Sequence, residues 1–464
     1  MRRILLLPTF VALSSSVLLG QAPPGEGPAL GTNRITQADI TSGLMTETEL
    51  RLAGQKMFAT PFNRHDGYGD GPMSPTDTIS PGGRPTLQGN GTFLRVNGLD
   101  AQTCIECHSV GSNAVVPFRF GVGGVGGSAS NAIFQPKEID VDDDLGWGYA
   151  AFDGRFINPP FLFGSGGVEL LGKEMTSDLQ RLRRLAQLSP DQPVPLVTHG
   201  VDFGTLTYVS AQAALDTSQV VGVDEDLVVR PFGRKGEFHT VRAFDVDAMR
   251  FHFGMEPVEF AGDGVDADGD GVVNEVLVGE LSVLHLFNTS LKSPVVDFST
   301  PAIEAGRVRF DAVGCATCHV PELETRQRVL PLSFPDDGAK PWANAFYGLD
   351  LVASNAGFAA NGQGGVTVPM FSDLKRHDMG PGLAEAFGHG LDSQFITARL
   401  WGVADTAPYL HDGRATTLTA AILAHGGEAQ AARDAFDALP DAGKVELLTF
   451  LRSLRTPTDP TGGL

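Results

Sequence analysis

All four cysteines fall in two matching clusters, Cys104-Ile105-Glu106-Cys107-His108 and Cys315-Ala316-Thr317-Cys318-His319. Both read C-x-x-C-H, the attachment signature of c-type haem. The spacing has a physical reason. Two thiols three positions apart lie on one face of a helical turn. From there they can form thioethers with the two vinyl groups of one haem, and the histidine that follows is held beneath the iron as its proximal ligand. A dithiol redox pair needs neither the adjacent histidine nor a second copy. Zinc would want the cysteine pairs matched by histidine pairs about one helical turn apart, and the sequence has none. Two covalently bound haem c groups are expected, at Cys104, Cys107 and His108 and at Cys315, Cys318 and His319.

The motifs lie about 210 residues apart in a chain of 464, so each half has room for its own haem domain. Apolar residues at 42% and charged residues at 19% allow a packed core. The 57 glycines and 30 prolines favour loop and turn over long helices. Caps and apolar spacing predict helices over 46–58, 176–188, 241–253, 280–287, 301–310, 418–424 and 429–452, the last broken at Pro440. Short strands are expected over 206–209 and 227–229. The expected class is mainly α with extensive irregular loops, as two cytochrome c-like haem domains. The expected divisions are an export signal over 1–22, a flexible leader over 23–45, an N-terminal haem domain with inserted segments over 46–290 and a C-terminal haem domain over 291–464.

The signal rests on Arg2 and Arg3 ahead of an apolar run from Ile4 to Leu19, with small residues near Gly20 and Ala22. Pro8 and Ser14 to Ser16 interrupt that run, which falls short of the about 20 residues a membrane span needs. A mature chain in the periplasm or secreted, without a transmembrane span, is expected. The net charge of −21 lacks the basic footprint of a nucleic-acid binder. It suits a basic protein partner or a small uncharged substrate.

A second feature repeats. Leu145-Gly146-Trp147-Gly148 leads to Phe152-Asp153-Gly154-Arg155, and Leu400-Trp401-Gly402 leads to His411-Asp412-Gly413-Arg414. Glu169 and Glu428 each stand 14 positions beyond the arginine of their copy. In that register Gly166 falls where the second half has His425. A histidine can occupy the sixth position of an iron and a glycine cannot. The second haem is therefore expected to be capped by His425 and the first to be open, with Glu169 nearby. Cleaving a peroxide needs a group that takes a proton from one oxygen and gives it to the other. Glu169 is the candidate, with Glu174 as its rival.

Asp266, Asp268, Asp270, Gly271 and Asn274 follow positions 1, 3, 5, 6 and 9 of a calcium loop. Position 12 is Leu277, so Glu275 or Glu280 would have to supply the missing carboxylate. His65, His252, Met255, His377, Met379 and His411 are further candidate iron neighbours, and Trp401 a candidate electron relay.

Leu400-Trp-Gly-Val403, Thr406-Ala-Pro-Tyr-Leu-His-Asp-Gly-Arg-Ala415 and Thr417-Leu-Thr-Ala-Ala-Ile-Leu-Ala-His-Gly-Gly-Glu-Ala429 resemble the di-haem oxidoreductase family of peroxidase-like proteins. That family is related to bacterial di-haem cytochrome c peroxidases and to the di-haem enzyme that matures methylamine dehydrogenase. Phe371 to Gly380 and Asp266 to Gly271 share the resemblance, which runs from roughly Glu49 to Leu454. It implies two cytochrome c-like domains, with the second haem as electron-transfer centre and His425 at its distal position. Relatives carry Met or Tyr there, and a histidine pair gives a lower potential than His with Met. Glu174-Met175 resembles a peroxidase motif.

The expected activity is reduction of hydrogen peroxide at the N-terminal haem. Electrons would come through the C-terminal haem from a small basic cytochrome or cupredoxin. The alternatives are a pure electron-transfer cytochrome with both irons six-coordinate, and a haem oxidase or oxygenase acting on an organic or protein substrate.

Overall fold

A computed structural model describes residues 27–69, 103–108, 131–139, 150–294, 300–387 and 390–462. The expected signal over 1–22 and the Leu145 to Gly148 copy of the repeat lie outside them. Ten α-helices dominate the described residues. They are α1 (Gln37–Thr41), α2 (Glu47–Ala59), α3 (Ser165–Leu188), α4 (Val241–Phe253), α5 (Val258–Ala261), α6 (Val278–Thr289), α7 (Pro301–Ala312), α8 (Leu418–Leu423), α9 (Gln430–Asp437) and α10 (Asp441–Leu451). Side chains that accept the first free amides set their starts. Thr46 and Glu49 form a capping box on α2, and Thr240, Thr300 and Thr417 cap α4, α7 and α8. Pro440 divides α9 from α10, as its missing N–H requires.

α3 begins at Ser165 rather than 176. Gly166, Gly167 and Gly172 lower the helical propensity of that stretch, but packing demands two of them. A Cβ at Gly166 would stand 2.3 Å from the carbonyl oxygen of Thr289, and one at Gly167 2.5 Å from the ring of Phe358.

The strands are short and antiparallel. β1 (Asn131–Ile139) pairs with β2 (Ala150–Ile157), and β3 (Val194–Thr198), β4 (Val201–Val209) and β5 (Ala214–Asp216) form a meander. β6 (Leu323–Glu324) pairs with β9 (Thr367–Val368), and β7 (Val329–Ser333) with β8 (Ala345–Asp350). β10 (Arg376–Asp378) pairs with β13 (Gln394–Ile396), and β11 (Glu385–Phe387) with β12 (Gly390–Asp392). No strand forms over 227–229. There the backbone bonds to side chains instead: Val229 N–H donates to Thr176 Oγ1, and Leu227 O accepts from Gln180.

Two helix crossings organise the interior. α2 crosses α6 at Gly54, and α7 crosses α10 at Gly306. One apolar cluster contains Leu50, Phe58, Leu171, Phe287 and also Leu330, Leu349 and Trp401. A second, around Phe310, Phe371, Phe436 and Phe450, surrounds the second C-x-x-C-H motif.

The segment expected as a flexible leader is held down where it is described. Leu30 is buried, and the amides of Ala29 and Leu30 donate to Asp66. Arg34 pairs with Glu280. A buried carboxylate and a buried apolar anchor fix what Gly and Pro content suggested would be loose. No helix of the described residues is long and apolar enough to cross a membrane.

Candidate functional site

Each C-x-x-C-H motif closes as one tight turn. His108 N–H donates to the Cys104 carbonyl at 2.8 Å, and His319 N–H to the Cys315 carbonyl at 3.0 Å. The cysteines form no disulfide. Burial pushes the Cys104 thiol up, and the Cys315 thiol up to about 12.

The second motif faces a second imidazole. The ring centroids of His319 and His425 are 6.5 Å apart. Nδ1 of His319 donates to the Phe371 carbonyl at 3.1 Å, and Nδ1 of His425 to the Ala421 carbonyl at 2.8 Å. A carbonyl only accepts, so each Nε2 keeps a free lone pair. Metal–imidazole bonds of about 2 Å on both sides require roughly this separation. Burial pushes His319 down to about 4 and lowers His425 as well, which keeps both rings in the neutral form a metal needs. α8, capped by Thr417, carries the turn that aims His425.

At the first motif, Nδ1 of His108 donates to the Pro160 carbonyl at 2.8 Å, which frees Nε2 in the same way. Burial pushes His108 down to about 4, and His252 on α4 adds to that push. The segment after β2 ties this site to the second half. Asn158 N–H donates to the His411 carbonyl, and its amide Nδ2 to those of Pro408 and Leu410.

The guanidinium of Arg399 lies over the rings of Phe161 and Phe232, at 5.6 and 5.8 Å. Burial alone lowers it, to about 10, and no carboxylate pairs with it among the described residues. A half-buried cation over two aromatic rings, without a carboxylate beside it, is open to an anion. The two propionates of a haem are anions of the kind such a site lacks, so the donor set and this orphaned cation both fit haem.

Sequence reading missed one carboxyl here. Asp245 on α4 is 6% exposed, accepts from Asn288 Nδ2 at 3.1 Å, and its charge bears on Cys104. Burial holds it well above the usual carboxylate range, against the pull of Asn288 and Arg242. Arg242, Asp245 and Met249 share the buried face of α4; a charge on a buried helical face needs a reason, but only the fold shows that this face is buried.

Glu169 is wholly buried in α3. Its carboxylate accepts from Val241 N–H and His285 Nε2, both at 2.9 Å, and lies 3.5 Å from Lys173 Nζ. Burial pushes it up, but His285 and Lys173 outweigh this and leave it below its ordinary value. Its counterpart Glu428 is bonded alike, to His377 Nδ1 at 2.8 Å and Asp378 N–H at 2.9 Å. Glu174 faces elsewhere. It accepts the backbone amides of Arg326 and Gln327 and lies 3.3 Å from His199.

Asp266, Asp268 and Asp270 place carboxylate oxygens within 4.8 Å of one another. Asn274 turns instead to Gly264 N–H and Asp263. Glu275, buried, is the further carboxylate that bears on Asp268 and Asp270, whereas Glu280 is taken by Arg34 and Leu277 N–H. His411 stacks on Phe395 at 4.5 Å. His377 pairs with Asp373, and Met255 is packed in the core. His65 lies beside Arg64 in a loop. Trp401 is buried against Phe358 and Gly164.

Residues 259–454 match the family described as "Di-haem oxidoreductase, putative peroxidase". No curated protein matches the chain. Two solved structures overlap it in part. One is Kuenenia stuttgartiensis hydrazine synthase, at 15% identity and a TM-score of 0.26, covering 46% of this chain and 61% of that one. The other is a MauG-like protein associated with microbial copper homeostasis, at 17% identity and a TM-score of 0.24, covering 38% and 53%. The chain thus spans less than two thirds of either. The family match covers residues 259–454, which hold the second C-x-x-C-H motif and His425.

Proposed function

We propose that this protein is an exported di-haem c-type oxidoreductase that reduces hydrogen peroxide at the first motif, with electrons delivered through the second. When bound, the haems would supply the redox-active irons. Cys104 and Cys107 would hold one group and Cys315 and Cys318 the other, with His108 and His319 as proximal ligands through Nε2. Each half, 46–290 and 291–464, would form a cytochrome c-like domain around its own motif.

The observation that carries the reading is the pairing of His319 with His425 across 6.5 Å. Two imidazoles close the second site to substrate and suit it to electron transfer. At the first site, burial favours the protonated form of Asp245, which bears on Cys104, and Glu169 lies close enough to act on it. These are the groups that would hold and move protons there. Arg399 would bind a propionate. The net charge of −21 would attract a small basic cytochrome or cupredoxin as donor. Asp266, Asp268 and Asp270, with Glu275, would take calcium, and heat on calcium titration tests that.

One observation favours a second reading. The charge of His252 lowers His108, as that of His425 lowers His319. With His252 as sixth ligand, the first site would also be closed at rest, and the protein would serve electron transfer.

Electron paramagnetic resonance on the oxidised holo-protein separates the readings. One high-spin and one low-spin iron, followed by peroxide turnover, is the expected result. Two low-spin irons, with His252→Ala converting one to high spin, would give the second reading. An oxidase acting on an organic or protein substrate would show product without peroxide consumption.

A further inference from the structure

A line of charged side chains crosses the interior from the surface toward the first motif. His239 Nε2 lies 3.1 Å from Asp336 Oδ2. Asp336 Oδ1 lies 3.9 Å from Lys173 Nζ, and Lys173 Nζ 3.5 Å from Glu169 Oε1. Glu169 Oε2 meets His285 Nε2 at 2.9 Å. Side-chain exposure falls along this line from 26% at His239 through 12% and 2% to 0% at Glu169. One helical turn beyond His285 on α6, Asn288 holds Asp245, whose charge reaches Cys104.

A second observation concerns how loosely the line is joined. Glu169 Oε1, Lys173 Nζ and His285 Nδ1 are buried without a hydrogen bond. Folded proteins leave few such atoms, and a group left so calls for a specific explanation, a catalytic role among them. A scaffold of ion pairs would gain stability by closing these contacts. The charged groups facing Glu169 are Lys173 on its own helix, His285 on α6, Asp336 on the loop between β7 and β8 and Asp245 on α4.

We propose that His239, Asp336, Lys173, Glu169 and His285 form a proton path from solvent to the pocket of the first C-x-x-C-H motif. The proposal rests on the peroxide reading: a peroxide that takes two electrons from the donor and becomes two waters also takes up two protons. Lys173 Nζ gives a proton to Glu169 Oε1 and is refilled from Asp336, which draws on His239 and bulk water. At rest the charged Glu169 accepts from His285 Nε2–H; once protonated, and with the ring in its Nδ1–H tautomer, its carboxyl turns and gives the proton to Nε2 while Nδ1 releases its own. No electron moves along the path.

The test uses holo-protein carrying both haems, with Glu169→Gln and His239→Ala. The first readout is the reduction potential of the first haem against pH. It falls with rising pH in the wild type if reduction draws in a proton, and the slope flattens in Glu169→Gln. The second is peroxide turnover, expected to drop about tenfold or more in both variants. Added imidazole should restore His239→Ala, with haem content and melting temperature unchanged. The proposal is overturned if both variants keep the slope and the rate. It is equally overturned if the rate falls only with haem loss, without a change in slope or imidazole rescue. A wild type that turns over no peroxide would remove the peroxide reading alone, because the slope still decides the path.

Discussion

Gly306 on α7 lies so close to Glu446 on α10 that a Cβ would stand 2.2 Å from the carbonyl oxygen of Glu446. Gly54 on α2 stands in the same relation to Val283 on α6, at 2.1 Å. Four residues further along each helix, Phe310 meets Phe450 at 5.3 Å and Phe58 meets Phe287 at 5.6 Å. Both crossings therefore use a glycine as the contact point and a phenylalanine pair as the wedge, and each first helix precedes a C-x-x-C-H motif. Gly54→Ala and Gly306→Ala should each cost about 1–3 kcal/mol, because a methyl group forced into a closed helix contact shifts the backbone. Thermal unfolding measures this. Unchanged melting in either variant would mean that the helices separate freely at that point.

Much of this was legible in the residues. The two motifs announce themselves by spacing, and Thr46, Thr240, Thr300 and Thr417 mark helix starts by their capping chemistry. The glycine crossings were not legible, because Gly54 and Gly306 count against a helix until the partner helix is known. The same reason hid the first turns of α3. Asp245 was hidden differently. Its neighbours Asn288 and Glu169 are far along the chain, and only the meeting of α3, α4 and α6 makes one buried carboxyl unusual. The expectation for His425 came from a register between repeats that placed it against a glycine, a comparison internal to the sequence.

If His425 caps the second iron, its replacement by a weaker-field or a softer ligand has separate signatures. His425→Gly should turn one low-spin iron high-spin. His425→Met should keep the low-spin signal and raise the potential, since thioether ligation favours the reduced iron. Redox titration of both variants measures this. An unchanged low-spin spectrum in His425→Gly would assign the sixth position to another residue.

Glu174 and Glu169 are separable by what their loss affects. Glu174 accepts the amides of Arg326 at 2.9 Å and Gln327 at 2.9 Å, so it ties α3 to the segment before β7. Removing one partner from a buried charged contact costs about 3–5 kcal/mol. Glu174→Ala should therefore lose about that much unfolding free energy in denaturant titration. A fall in kcat at full stability would instead give Glu174 the proton-handling role.

Asp245 leaves a signature in the pH dependence of stability. Burial raises its folded value well above the ordinary 3.8, so the native state holds a proton that the unfolded chain has released. Stability falls with pH wherever the native state binds more protons. The contribution of Asp245 is therefore fully present below its unfolded value and is lost as pH rises toward its folded one. Asparagine does not titrate and can still bond with Asn288. Asp245→Asn should thus gain stability relative to wild type between about pH 4 and about pH 8. Melting temperatures of both proteins at the two pH values measure the difference. A constant difference, or one that shrinks with pH, would mean that Asp245 is ionised in the fold and carries no proton to the first site.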